Sequence, residues 1–209
     1  MVNRTRWRYP VYMEPYSTLL QSMEEVSSPY TAHWLKPYRL GQLLLVKTPD
    51  RAREAVTELI TEWALRGPFY LIAAGEWLPP HDDLRYAVYK HTSAFDEVLD
   101  NLILARPFTC LQLLDLLMDA DEQNKPVLIL DYLHLFYNAD VDLSLRYSTL
   151  EKCCQYTKRL SFSNPVVVLV PYLAVEDYRR FFPFVASVAD EMIEIDKRPS
   201  PEATQGSLF

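Results

Sequence analysis

Residues 126–131, Pro-Val-Leu-Ile-Leu-Asp, place four large aliphatic residues in a row between a proline and an aspartate. A strand with one face in water alternates apolar and polar residues, so an unbroken apolar run indicates a strand that is buried on both faces. Residues 69–73 and 166–170 have the same character. Such strands are typical of parallel sheets, which are covered by helices on both faces.

The segments between these runs show helical periodicity. After a predicted first strand over residues 42–46, apolar residues recur at spacings of three and four from Ala52 to Ala64. Thr48 is predicted to cap this helix, and Gly67 followed by a proline to end it.

The same reasoning extends to the rest of the chain. We predict strands over residues 101–106 and 192–195, and helices over 111–118, 150–157 and 175–186, the last interrupted at Pro183. Residues 74–94 are predicted to form a surface excursion with at most a short helix, and residues 133–143 a loop. Alternating strands and helices predict the α/β class with a parallel sheet.

Composition restricts the kind of protein. The chain has 209 residues, 49% of them hydrophobic and 23% charged, which excludes a fibrous or wholly disordered protein. A net charge of −7 argues against a nucleic-acid binder that uses its whole surface. No apolar run reaches the roughly 20 residues of a membrane span, and the first residues lack the apolar stretch of a signal peptide. We therefore expect a cytoplasmic protein without membrane contact.

The chain divides into three regions. Residues 1–34 are interpreted as an N-terminal arm and lead-in, residues 35–196 as one folded domain, and residues 197–209 as a flexible tail. The tail contains prolines and no apolar periodicity, which is the composition of a linker.

Three stretches resemble the RecA-like ATPase core, in its recombinase and KaiC-like branch. Residues 40–46 (Leu-Gly-Gln-Leu-Leu-Leu-Val) resemble the approach to the first core strand. Residues 96–109 resemble the part of recombinases in which a short helix leads to a strand ending in Ala-Arg and then to another helix. Residues 126–131 are similar to the Walker B strand. The resemblance spans residues 35–195 and implies a doubly wound, mostly parallel sheet of the P-loop NTPase type with helices on both faces.

The phosphate loop of that family is degenerate in this chain. A phosphate loop needs glycines, so that consecutive backbone N–H groups converge on phosphate, together with a lysine and a Ser or Thr. The chain has four glycines in all, and none lies in the corresponding turn, Lys47, Thr48, Pro49, Asp50 and Arg51. Proline removes one N–H group and the aspartate places an anion where phosphate would lie. We therefore predict a pseudo-ATPase that binds no nucleotide and no other cofactor.

Two carboxylates fall near positions at which the family uses one. Asp131 occupies the Walker B position, where the family's carboxylate holds magnesium through water. Without phosphates that role has no partner, so Asp131 is predicted to accept hydrogen bonds from neighbouring backbone N–H groups. Glu76 lies near the position of an activating carboxylate, but its surroundings do not reproduce the motif, and a solvated loop residue is favoured.

Other site chemistry is weakly represented. The strongest candidate for a metal site is the group His81, Asp82, Asp83 and His91, for which a polar loop is the favoured interpretation. Cys153 and Cys154 are consecutive on a predicted helix and point about 100° apart, so they are expected to be small core or half-buried residues, as is Cys110.

Both terminal regions carry candidate partner-binding residues. The arm interleaves arginines with aromatic residues, notably Arg6, Trp7, Arg8 and Tyr9. Such a mixture suits protein docking or contact with phosphates and bases, and the acidic net charge favours protein. The last five residues resemble the bacterial sliding-clamp-binding peptide, in which a glutamine and a Leu-Phe pair make the contacts; the matching positions are Gln205, Leu208 and Phe209. Gly206 departs from the leucine favoured at the second position.

These features together favour a non-catalytic RecA-like accessory or scaffold protein in DNA recombination, repair or damage-tolerant replication. Its expected partners are a RecA-like protein or a second copy, and a sliding clamp, with mainly indirect contact to DNA. Two alternatives remain open at this point. One is a nucleotide-dependent ATPase with an unorthodox site near Thr48, and the other is a structural subunit of a non-DNA assembly, similar to the small RecA-like subunits of the Elongator complex.

Overall fold

In the part of the chain that the structure describes, six strands form one sheet in which every neighbouring pair is parallel. The computed structural model describes residues 41–48, 53–121, 124–173 and 175–195. The strands are β1 (Leu43–Thr48), β2 (Phe69–Ala73), β3 (Leu102–Ala105), β4 (Val127–Leu130), β5 (Val166–Pro171) and β6 (Glu191–Glu194). Their order across the sheet is β3-β2-β4-β5-β1-β6. The predicted α/β fold with a doubly wound parallel sheet is confirmed.

Among the described residues, six α-helices cover the sheet, and a short 3-10 helix spans His134–Tyr137. The α-helices are α1 (Arg53–Arg66), α2 (His81–Tyr89), α3 (Phe95–Leu99), α4 (Cys110–Asp121), α5 (Leu143–Ser163) and α6 (Glu176–Val188). Because successive strand residues point to opposite faces, each central strand supplies two cores. Leu128 and Leu130 pack with α1 and α2, whereas Val127 and Ile129 pack with α4, α5 and α6.

Two of the helical predictions are wrong in extent. The predicted loop over residues 133–143 contains the 3-10 helix, and α5 starts at Leu143, because Asp142 accepts hydrogen bonds from the N–H groups of Ser144 and Leu145 and so begins the helix early. In α6 the predicted interruption at Pro183 does not occur. Pro183 lies on the exposed side, and the helix continues because buried residues on both sides of it, Phe181 and Val185, hold it against the core.

Within the described residues, no helix combines the length and apolar character that crossing a bilayer requires.

The α6 face of the core is built around one aromatic residue. The ring of Phe181 is fully buried and lies 5.1 Å from the ring of Tyr147 and 6.4 Å from that of Phe136, measured between centroids. We expect Phe181→Ala to lower the free energy of unfolding by about 3–5 kcal/mol, because it removes this packing and leaves a cavity. Urea unfolding measures the change. Phe162→Ala is the matched control, since that ring is 67% exposed and its loss should cost less than about 1 kcal/mol. Equal losses in the two variants would contradict the packing account.

Candidate functional site at the carboxyl edge of the sheet

The carboxyl ends of all six strands lie at one edge, because the sheet is parallel. The chain leaves β1 toward the face that carries α1 and leaves the neighbouring β5 toward the face that carries α6. In open α/β sheets, such a reversal between neighbouring strands opens a crevice in which ligands bind. This carboxyl edge contains Thr48, Pro171 and the segment that follows β4. We therefore take the edge as the candidate site.

Lys47 is engaged on the side of β6. It lies opposite Glu194 in the register of β1 and β6, and its ammonium donates to Glu194 Oε1 at 2.8 Å. The same ammonium lies 5.0 Å from the centre of the Tyr172 ring, within cation–π range. Carboxylate and aromatic ring thus both stabilise the lysine charge where it stands.

Thr48 does not cap the following helix. It is the last residue of β1, and its Oγ1 is buried without a hydrogen-bond partner. The prediction of a cap is therefore wrong, because Thr48 is fixed in the sheet while α1 begins at Arg53. The remaining residues of the degenerate phosphate-loop turn, Pro49, Asp50 and Arg51, lie outside the described residues.

Asp131 follows β4 in a left-handed backbone conformation, with φ of 54°, which a non-glycine residue seldom adopts. The residue is only 4% exposed. Its Oδ1 has no hydrogen-bond partner, and its Oδ2 lies 3.4 Å from Nδ1 of His134. Among the described residues no backbone N–H donates to this carboxyl, so the predicted role of Asp131 as a local acceptor is wrong. The turn is closed instead by its backbone carbonyl, which accepts from the N–H of His134 at 3.0 Å.

Gly75 makes the position of the Asp131 side chain possible. A Cβ at Gly75 would lie 1.8 Å from Asp131 Oδ2, so no residue with a side chain fits there while Asp131 keeps its position. The carbonyl of Gly75 also accepts from Nη2 of Arg106 at 3.5 Å. Sequence reasoning missed the involvement of Gly75, His134 and Arg106 at this edge. The scarcity of glycine was the available signal for the first of them.

The carboxyl of Asp131 is suited to exchanging a proton. Burial raises the pKa of Asp131 to about 6, His134 opposes the rise, and Glu76 adds to it. Glu76 itself is exposed, as predicted for a loop residue. A carboxyl with this pKa changes its protonation state near neutral pH, unlike an exposed aspartate.

Two tyrosines extend this polar edge toward α6. The hydroxyls of Tyr137 and Tyr178 are buried without hydrogen-bond partners. Burial raises the pKa of Tyr178 to about 12, and it also raises the pKa of Tyr137, to which Asp131 adds. The nearby Arg146 donates to the carbonyl of Phe136 at 3.0 Å and to Asp177 Oδ2 at 3.2 Å. Its charge, like that of Lys47, is therefore committed to a carboxylate of the protein.

The favoured interpretation of His81, Asp82 and Asp83 as a polar loop is wrong, because these exposed residues form the first turn of α2. The described part of the chain contains no cluster of three or more histidine, cysteine or acidic residues arranged to hold a metal ion. Cys110, Cys153 and Cys154 are unpaired and buried, as predicted. Burial raises the pKa of Cys154 to about 12, which keeps it a thiol at neutral pH.

The predicted partner-binding residues lie outside the described residues; they are Arg6, Trp7, Arg8, Tyr9, Gln205, Leu208 and Phe209. A comparison with protein families found no match, and a search of curated proteins found none that is significant.

Asp131 should make stability depend on pH in an unusual direction. Its pKa is raised from the ordinary 3.8 to about 6 in the folded protein, so between these values the folded state binds more protons than the unfolded state. The stabilising contribution is complete below about pH 4 and is lost as the pH rises through 6. We expect Asp131→Asn to gain stability relative to the wild type between pH 4 and pH 7, by at most about 3 kcal/mol. Urea unfolding at several pH values measures the difference.

Asp142→Asn provides the control of opposite sign. Hydrogen bonds from Ser144 and Leu145 lower the pKa of Asp142, so its contribution is present above the unfolded-state pKa and is lost as the pH falls. A stability difference between Asp131→Asn and wild type that stays constant across the pH range would show that Asp131 is not the titrating group.

Proposed function

We propose that this protein is a non-catalytic RecA-like accessory or scaffold protein of the cytoplasm, which acts in DNA recombination, repair or damage-tolerant replication. According to this proposal, the protein binds other proteins. The edge of the sheet that binds nucleotides in RecA-like ATPases does not bind them in this protein. The N-terminal arm and the C-terminal tail carry the partner contacts.

The observation that carries the proposal is the pairing of Lys47 with Glu194. A phosphate-loop lysine has to reach the β- and γ-phosphates of a nucleotide. The ammonium of Lys47 instead lies 2.8 Å from a carboxylate on the neighbouring strand and over the ring of Tyr172. Binding a nucleotide through Lys47 would require breaking both contacts, with no glycine-rich turn to supply backbone N–H groups in return.

Asp131 supports the same interpretation. A carboxyl that holds magnesium through water has to be ionised and open to solvent at the metal. Asp131 is almost fully buried, and burial raises its pKa toward neutrality. Its Oδ2 faces His134 and the backbone of Gly75, so the carboxyl is enclosed by protein groups.

The setting in DNA metabolism rests on the terminal sequences. The last five residues resemble a sliding-clamp-binding peptide, and they follow a proline-containing segment that would hold such a peptide away from the domain. The aromatic and basic residues of the arm suit docking on a protein surface. An Elongator-like role would give the tail no partner, so the tail distinguishes the two settings.

One observation favours the alternative of an ATPase with an unorthodox site. Thr48 Oγ1 and Asp131 Oδ1 are both buried at the carboxyl edge without hydrogen-bond partners, and a bound ligand would supply them. A titration of the protein with nucleotide therefore tests both functions.

We expect the purified protein to bind neither ATP nor ADP with magnesium, because the charge of Lys47 is already neutralised. Isothermal titration calorimetry at nucleotide concentrations up to about a millimolar measures this. Glu194→Gln serves as the matched variant, since it releases Lys47 without altering the turn, and it should not create binding. A magnesium-dependent dissociation constant in the micromolar range that Asp131→Ala abolishes would favour the enzyme over the scaffold.

We expect residues 197–209, as a fluorescently labelled peptide, to bind a bacterial sliding clamp with micromolar affinity. Burial of Leu208 and Phe209 offers roughly 1.5–3 kcal/mol each, and ordering the peptide returns part of it. Replacing both with alanine should abolish binding, and Gly206→Leu should tighten it because the substitution removes backbone freedom and adds an apolar contact. Ser207→Ala is the control and should change little. Absence of saturable binding below about a millimolar would remove the clamp from the proposal.

A further inference from the structure

The helices α4 and α5 lie side by side and run in the same direction. The thiol of Cys110, at the start of α4, contacts the side chain of Thr149 in α5. At the other end, Asp121 of α4 forms an ion pair with Arg159 of α5 at 3.3 Å. These two contacts fix the register of the helices, so that positions 110 and 149 share one level and positions 121 and 159 share another.

The outer side of this helix pair carries large apolar residues that the fold leaves in solvent. Phe108, Leu111 and Met118 are 70%, 49% and 44% exposed, and Leu145 of α5 is 41% exposed. Leu111 and Met118 are seven residues apart and share one face of α4, while Leu113 and Leu117 face the core. We call the exposed side of the two helices, with Phe108, the α4–α5 surface.

The charges of α4 are all acidic, whereas α5 exposes Lys152 and Arg159 together with Glu151. α4 contains aspartates and no basic residue, and Asp115 is exposed between Leu111 and Met118. On α5, Lys152 and Arg159 follow Leu145 at intervals of seven residues and are exposed. Residues at this interval lie on one side of a helix. An acidic edge on α4 therefore runs beside a basic edge on α5, with apolar residues on both.

The register places the opposite charges at nearly the same height. The two fixed contacts place Asp115 of α4 level with positions 153 to 154 of α5. Asp115 therefore lies about 2–3 Å from Lys152 when the distance is measured along the helix axis. A two-fold axis parallel to the helices would lay α4 of one chain on α5 of another while preserving these heights. Asp115 would then meet the partner's Lys152, and the same pair would form a second time by symmetry.

We propose that the α4–α5 surface binds a second copy of this chain in a two-fold symmetric dimer. Charge complementarity favours this occupant, because Asp115 of one copy meets Lys152 of the other when α4 faces α5. Its exposed apolar residues supply the burial that a stable interface needs. Self-association through this surface does not depend on whether the tail binds a clamp or on whether the carboxyl edge binds a nucleotide.

Sedimentation velocity of the full chain between about 1 and 100 µM tests the dimer. We expect a concentration-dependent dimer that weakens at high salt, because salt screens the attraction within the solvent-accessible Asp115–Lys152 pairs. Asp115→Lys and Lys152→Asp should each raise the dissociation constant at least about tenfold, since each places like charges opposite one another twice. The double variant should restore affinity to within about threefold of the wild type.

Two controls separate the surface from unspecific effects. Asp82→Lys makes the same charge change on α2, on the opposite face of the sheet, and should leave the dimer unchanged. Leu111→Ser should weaken the dimer, whereas Phe162→Ser, which removes an exposed ring at the far end of α5, should not. A wild-type chain that stays monomeric throughout this range overturns the proposal. So does a dimer that tolerates Asp115→Lys, or one that the double variant fails to restore.

Discussion

Burial of β4 and β5 on both faces is the constraint on which the rest of the structure depends. Every residue of these two strands is buried, so each strand requires a helical layer above and below it. α1 and α2 supply one layer and α4, α5 and α6 the other. This arrangement sends the chain in opposite directions from neighbouring strands, and that reversal creates the crevice at the carboxyl edge. The candidate site is thus a consequence of how the sheet is covered.

At the carboxyl edge of the sheet, charged side chains that could bind a ligand are paired with other side chains of the same protein. Lys47 and Arg146 are the kind of residues that bind anionic ligands, yet each has a carboxylate partner on a neighbouring element, Glu194 and Asp177. Asp131 is the opposite case, since its carboxyl is buried with one oxygen lacking a partner. The charges of Lys47 and Arg146 are thus compensated by carboxylates of the protein, whereas Asp131 Oδ1 and the hydroxyl of Thr48 lack hydrogen-bond partners. This distribution is compatible with a domain whose binding surfaces lie elsewhere.

The elements with a strong local signal could be predicted from the sequence. The signal for each of these elements is contained in one short stretch of sequence: an apolar run for β2, β4 and β5, and a periodic apolar stripe for α1. Each element lies where its pattern predicts it. The first part of α5 gave no such signal, because its residues include Arg146. This arginine is buried where it donates to the carbonyl of Phe136 and to Asp177, which are 10 and 31 residues away in sequence.

The contacts of the candidate site could not be predicted from local sequence patterns, because they also join residues that are far apart in the sequence. Lys47 pairs with a residue 147 positions away, and Asp131 is shaped by Gly75, which lies after another strand. Local composition contains the residue types at these positions but not their distances. The order of strands across the sheet brings them together, and that order follows from long-range packing rather than from any short stretch.

The charge of β6 affects more than the state of Lys47. Within the described residues this strand pairs only with β1, and an edge strand presents backbone groups that can pair with a strand from another molecule. Glu191 and Glu194 stand at its two ends, with Met192 exposed between them. Adding a further copy of this edge would bring like charges together in a sheet, where directly opposed charges are unfavourable. The glutamate that pairs with Lys47 therefore also contributes negative charge that disfavours pairing of this edge with a second copy of itself.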